Sequence, residues 1–217
     1  MGNREALIIA ARNCIAEKGY QRTTARDLAA SARVSLAAIG YHFGTTEALL
    51  NEAIFEGIGE WGEELARVLA EETRIDGDPF EVAERVWTRV IASFDAHRGI
   101  LAASYELMTR AREVPEVHDA LATALNHARV ALANMFLKID PEAEPERARQ
   151  VGSLFYAILS GVMTQWLIDP LGAPSGRDLS IALQDVTTSM FVGRSDCNER
   201  CRAVGPAAEA GGSNCPS

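Results

Sequence analysis

Apolar residues recur at intervals of three and four through most of the chain, and no sustained alternation of period two replaces them, so an all-α fold is expected. The first run, Arg4 to Lys18, carries Leu7, Ile8, Ala11, Cys14 and Ile15 on one face and closes at Gly19, a natural helix C-cap. Thr24 then stands as an N-cap with Asp27 three positions on, the spacing of a capping box, which predicts a short helix from about Ala25 whose apolar edge is Leu28, Ala29 and Ala32. Ser35 caps another, with Ile39 and Phe43 four residues apart. Between the two lie only Ala32, Arg33 and Val34, a separation that fits the turn of a helix-turn-helix. Thr45 opens a long helix to about Glu72, with Glu47 in its first turn where the helix dipole favours an acid.

Beyond Glu72 the pattern continues in longer pieces. Asp, Gly and Pro between Ile75 and Pro79 interrupt it, a helix is expected from Pro79 to about Ala96, and Gly99 reads as a break before another from Ile100 to about Arg112. Pro115 starts a further helix to about Leu137, and Asp140 to Pro145 forms the next break. Gln150 to Ile168 then runs for 19 residues without a charge. That length could cross a bilayer, but Gln150, Ser153, Ser160, Thr164 and Gln165 lie within it and no second span follows. A helix buried on all sides is the better reading, covered by its own body on one side and by a second subunit on the other. Arg177 to Phe191, with Leu179, Ala182, Leu183, Val186 and Met190 at near-heptad spacing, would supply the other half of a twofold four-helix bundle. The expected organisation is a head over residues 1–48, a body over 49–192 and a mobile Gly-, Ala-, Ser- and Pro-rich tail over 193–217.

Charge sharpens this picture. The chain carries a net −9, yet residues 1–50 hold six Arg and Lys against four Asp and Glu, a net of +2 that leaves −11 for the rest. A basic head on an acidic body can approach DNA with its head only. Burying Ile39 and Phe43 leaves Leu36, Ala37, Ala38, Gly40 and Tyr41 available outside, a mostly small, acid-free surface that could enter a major groove without steric or charge penalty. The plainer alternative is a helical hairpin whose exposed alanines reflect only helix propensity. In the body, Trp87, Phe94, Tyr105, Met108, Phe136, Phe155, Met163 and Trp166 could wall an apolar pocket between helices, or simply form the core. Cys197 and Cys201 stand four apart, but a zinc site needs about four ligands and no His is near, so neither a metal nor a cofactor is expected. The motifs GxSxG, HExxH, the P-loop and the Rossmann glycines do not occur, so no enzymatic activity is expected. Arg12 interrupts the one short apolar run near the start, which predicts no secretory signal and a cytoplasmic location.

At Thr23, Thr24, Leu28, Ala29, Ala32, Val34, Ser35, Tyr41, His42, Phe43, Glu47 and Leu49 the chain resembles the DNA-binding domain of the TetR family of transcriptional regulators. Ala10, Ala11, Ile15, Gly19 and Tyr20 upstream fit the same pattern. The resemblance implies a homodimer that binds double-stranded operator DNA, most often as a repressor, and releases it when a small molecule binds. It also implies that Thr24, Tyr41 and His42 hold phosphates while Arg26, Leu36, Ala37, Ala38 and Gly40 face bases, with Ser35 at the edge of the same surface. Two positions depart from the family. Arg33 stands where glycine is usual, at a cost of about 1 kcal/mol if it is left-handed, though an arginine there could reach phosphate. Thr46 replaces the lysine that grips the DNA backbone, which removes one released counterion per subunit. That loss keeps a second reading open, a helical ligand-binding or scaffold dimer without useful DNA binding.

Overall fold

The computed structural model describes residues 2–72, 77–111 and 114–203, with side chains up to residue 189. Among these the chain forms helices α1 (Asn3–Lys18), α2 (Ala25–Ala32), α3 (Leu36–Phe43), α4 (Thr46–Glu72), α5 (Pro79–Arg110), α6 (Pro115–Leu137), α7 (Pro145–Ile168) and α8 (Gly176–Ala203). The expected all-α class therefore holds. Met190, Cys197, Cys201 and Cys215 lie outside the described side chains.

Local signals set the head helices. Gly19, at φ 82°, ends α1 in a conformation that side-chain-bearing residues rarely adopt. α2 and α3 have eight residues each, too few to persist alone, so their stability must come from packing. Leu7, Ile8, Ala11, Cys14 and Ile15 of α1 meet Leu28 and Ala29 of α2, Ile39 of α3, and Leu49, Leu50, Ala53 and Ile54 of α4 in one core. Burial pushes the Cys14 thiol above its ordinary value, so it packs as a neutral side chain. Ile100, Ala103 and Leu107 of α5 and Val117 of α6 complete this core, so the head is closed by residues of the body.

Two features differ from the sequence-based expectation. Gly99 does not break a helix; α5 runs through it from Pro79 to Arg110. The reason lies in packing, because a Cβ at Gly99 would stand 2.6 Å from the Cα of Ala16, so glycine is what lets α1 cross α5. α8 also continues to Ala203 rather than stopping near Phe191, which places the first part of the expected tail in a helix. Gly193 alone is a propensity cost of about 1 kcal/mol, not a stop.

The body core joins Trp61, Leu65 and Leu69 of α4, Val86, Trp87, Val90, Phe94 and Leu101 of α5, Leu132 and Met135 of α6, and Leu159, Val162, Met163 and Trp166 of α7. Ser180 of α8 donates to the Phe80 carbonyl at 2.6 Å and fastens α8 to the start of α5. α6 and α7 come close together at Gly152, where a Cβ would lie 1.8 Å from the Arg129 carbonyl oxygen. Helix propensity by itself favours alanine over glycine there by about 1 kcal/mol. Gly152→Ala is nonetheless expected to lower stability by about 1 to 3 kcal/mol, the usual cost of overpacking. Thermal unfolding followed by circular dichroism checks the sign, and a variant melting above wild type would show that the two helices can separate freely.

Candidate nucleic-acid interface

The interface is assembled from caps outward. The Asp27 backbone N–H donates to the Thr24 hydroxyl at 3.3 Å, and the Thr24 N–H donates to the Asp27 carboxylate at 3.0 Å, so the expected capping box is present. The Thr24 hydroxyl proton is also given to Asp27, at 2.7 Å. Thr24 is exposed, but its proton is committed, and a phosphate would have to compete for it. Lys18 of α1 donates to the other carboxylate oxygen at 2.5 Å and ties α1 to the start of α2. This ammonium, then the Thr24 hydroxyl and N–H, hold the Asp27 carboxyl far below the usual carboxylate range.

Arg33 ends α2 in the left-handed region, φ 57° and ψ 40°, with its N–H directed to the Ala29 and Ala30 carbonyls. The strain foreseen for a non-glycine residue in this turn is therefore real. The chain then enters α3 at Ser35, whose side chain makes no capping bond and stays exposed. Ile39 is 3 % exposed and Phe43 half-buried, both packed in the head core with Leu28 and Ala29. Thr45 caps α4 by accepting from the Ala48 N–H at 3.0 Å.

With Ile39 inward, Leu36, Ala37, Gly40 and Tyr41 face out, Leu36 at 51 % and Tyr41 at 85 % exposure. Ala38 does not join them. It is half-buried and packs on the head core, because it lies only about 100° from Ile39 around the helix. His42 and Thr46 are half-buried at the edge, while Arg26 and Arg33 are exposed. The cations of the head divide into two sets. Arg4 pairs with Glu52, Arg12 with Glu60 and Lys18 with Asp27, all on the seams of α1. Arg22, Arg26 and Arg33 form no carboxylate ion pair among the described residues; Arg26 and Arg33 are carried by α2 and the turn into α3, whereas Arg22 donates to the Lys18 carbonyl at 2.7 Å and lines a surface groove with Glu106 of α5.

Of the eight large body residues, the structure brings seven together. Trp87, Phe94, Met163 and Trp166 are buried in the body core, and Tyr105, Phe136 and Phe155 pack on it. Phe136 stacks on Phe155 at 4.3 Å, Trp87 lies 5.4 Å from Phe136, and Phe94 meets Trp166 at 5.6 Å. The Tyr105 hydroxyl donates to the Ser160 carbonyl at 2.9 Å and meets the Thr164 hydroxyl at 2.7 Å, at the exposed edge of the cluster. Met108 is 39 % exposed and stands apart from them, because it falls on the outward side of α5. A surface groove of about 500 Å³ is lined instead by Glu72, Glu81, Glu84, Arg85, Thr88 and Arg89, and shares no residue with the aromatic cluster. Sequence reasoning missed Arg110, which reaches 90 positions back from the end of α5 to donate to the Tyr20 hydroxyl at 2.9 Å.

Residues 7–53 match the family described as bacterial regulatory proteins, tetR family, and residues 77–189 match the tetracyclin repressor-like C-terminal domain. Among solved structures, the fold is similar to a transcriptional regulator from Rhodococcus sp. Rha1, at 22 % identity and TM-score 0.57, over 83 % of this chain and 94 % of that one. It is also similar to the fatty acid degradation regulator FadR from Bacillus halodurans, at 17 % identity and TM-score 0.57, over 86 % and 93 % of the two chains. A TetR transcription regulator from Haloarcula marismortui matches at 16 % identity and TM-score 0.56, over 85 % and 94 %. No curated protein matches the sequence.

The capping box makes head stability acid-sensitive. Asp27 titrates lower when folded than the value of about 3.9 it has unfolded, so its contribution is complete above that value and is lost as pH falls towards the folded one. The melting-temperature gap between wild type and Asp27→Asn should be constant from about pH 7 to 5 and shrink below about pH 4. A gap that stays level down to about pH 3 would mean that Asp27 is not held as described.

Proposed function

The chain belongs to the TetR family of bacterial regulatory proteins, and from this premise we propose that it acts in the cytoplasm as a homodimeric repressor whose hold on operator DNA is loosened by a small molecule bound in the helical body. It is a DNA-binding, ligand-responsive transcriptional regulator rather than an enzyme. The observation that carries the reading is the acid-free outward face of α3, preceded in α2 and its turn by the exposed Arg26 and Arg33, which pair with no carboxylate among the described residues. In this reading residues 1–48 form the DNA-binding head and residues 49–192 the effector and dimerisation body. The α3 helices of the dimer enter successive major grooves of a near-palindromic site. Arg26 is the candidate for a bidentate contact to guanine, while Arg33, Ser35, Tyr41, His42 and Thr46 border the phosphates.

Support for the dimer comes from α7. Its apolar window is only 28 % buried within one protomer, and it presents Leu154 at 60 % and Ile168 at 79 % exposure, with Ala157 and Gly161 open between them. α8 adds Ile181 and Val186, 47 % and 50 % exposed. By length and composition α7 could cross a membrane, but a single such helix of a DNA-binding regulator is better covered by its twofold mate. The aromatic cluster under α5 and α7 supports an apolar effector, which would have to displace stacked rings to enter. A coupling of about 1 to 3 kcal/mol between that site and the spacing of the two heads would suffice for release.

Two variants test the reading. Arg26→Ala should relax base preference at one position per half-site in a selection on random duplexes, at a cost of about 1 to 3 kcal/mol, and an unchanged sequence profile would remove Arg26 from base contact. Ala157→Glu should sediment as a 23.4 kDa monomer and lose tight operator binding, whereas a variant that stays dimeric would move the interface away from α7.

A further inference from the structure

We propose that α3 selects its operator through thymine 5-methyl groups, with Leu36 as the specificity-determining residue and Gly40 kept without a side chain so that the helix can come close enough. This rests on the DNA-binding reading above. The outward residues form two rows of i,i+4 neighbours, Leu36 with Gly40 and Ala37 with Tyr41. In these rows the Tyr41 hydroxyl is the one polar side-chain group; there is no amide, carboxylate or guanidinium. In the major groove the thymine methyl is the base-edge feature that an apolar side chain can favour. Over guanine, adenine or cytosine the same leucine would strip water from donors and acceptors that it cannot pair, which penalises those bases. Leu36 therefore discriminates by attraction and by exclusion together.

Two observations within the chain support this assignment. Leu36 is a large apolar side chain, half-exposed, that lies outside the head core, so the fold does not require it. Gly40 is the converse. A Cβ placed on it would meet nothing within 4 Å, so neither crowding nor a positive φ explains a glycine in mid-helix. Such a glycine costs about 1 kcal/mol of helix stability against alanine. Gly59 and Gly62 of α4 and Gly161 of α7 are equally open, and what distinguishes Gly40 is its place on the outward face of α3, one turn along the same row from Leu36.

The test uses the full-length protein and the duplex recovered by selection on random DNA. Each half-site dT is replaced in turn by dU, which removes the methyl and keeps the base pair and the O4 acceptor. Wild type should lose about fourfold affinity per methyl read, and on the order of tenfold when both half-sites carry the change. Leu36→Ala should bind the thymine duplex more weakly and be indifferent to dU at the position that wild type senses, which assigns the methyl to Leu36. Gly40→Ala should melt above wild type yet bind at least about tenfold more weakly. Tight binding that tolerates dU at every half-site position would overturn methyl reading while leaving DNA binding intact. Equal or tighter binding by Gly40→Ala would overturn the clearance. A selection that enriches no sequence, with no duplex bound even at low salt, would instead bring down the DNA-binding reading itself.

Discussion

The burial of Ile39 against Leu28 and Ala29 is the contact on which the presentation of α3 depends. An eight-residue helix has no stable existence of its own, so whichever side it buries decides what its other side offers. Burying an isoleucine contributes on the order of 1.5 to 3 kcal/mol, more than the roughly 1 kcal/mol that left-handed Arg33 costs in the preceding turn. The turn can therefore carry an arginine where glycine would be easier. That substitution places a cation at the edge of the outward face.

Charge in the head is sorted rather than merely positive. Exposed ion pairs contribute between about 0 and 1 kcal/mol each, so the pairs Arg4–Glu52 and Arg12–Glu60 say little about stability. Their consequence is positional, because they keep acids of α4 engaged on the α1 side. Lys18 does the same for Asp27, which stands at the start of α2 and close to the outward surface. What remains unpaired on α2 and its turn is Arg26 and Arg33, which lead into an acid-free helix. The net of +2 read from composition is correct but understates how local the effective charge is.

The head was legible because its signals are local. Capping at Thr24 and Thr45 and the i,i+4 pair Ile39 and Phe43 each speak within four residues, and each appears in the structure where expected. Ala38 was misplaced because periodicity gives the centre of a face and not its edges. Gly99 misled for a different reason: in isolation glycine weakens a helix, but against Ala16 it is the residue that permits the crossing. The pairs of α1 with α4 span 48 positions, and no spacing rule reaches that far. For the body, composition named the large side chains and the fold gathered seven of them, yet the same rings serve as core or as pocket wall, so residue type could not choose between the two.

The long helix α4 is not the sole mechanical link between body and head. α5 contributes Ile100, Ala103 and Leu107 to the head core, crosses α1 at Gly99, and ends with Arg110 on Tyr20. The Arg110 guanidinium also lies 5.8 Å from the centre of the Tyr20 ring, and the Tyr20 hydroxyl donates to Asn51 of α4 at 2.8 Å. Tyr20 thus receives from α5 and gives to α4, closing a loop between two of the helices that build the head core. The same α5 carries Trp87 and Phe94 of the aromatic cluster at its other end. A helix of 32 residues is stiff over this length, and packed interfaces shift between arrangements rather than deform continuously. The rings around Phe94 and the Gly99 crossing onto α1 therefore stand on one continuous helix, so the body core and the head core share a single rigid element.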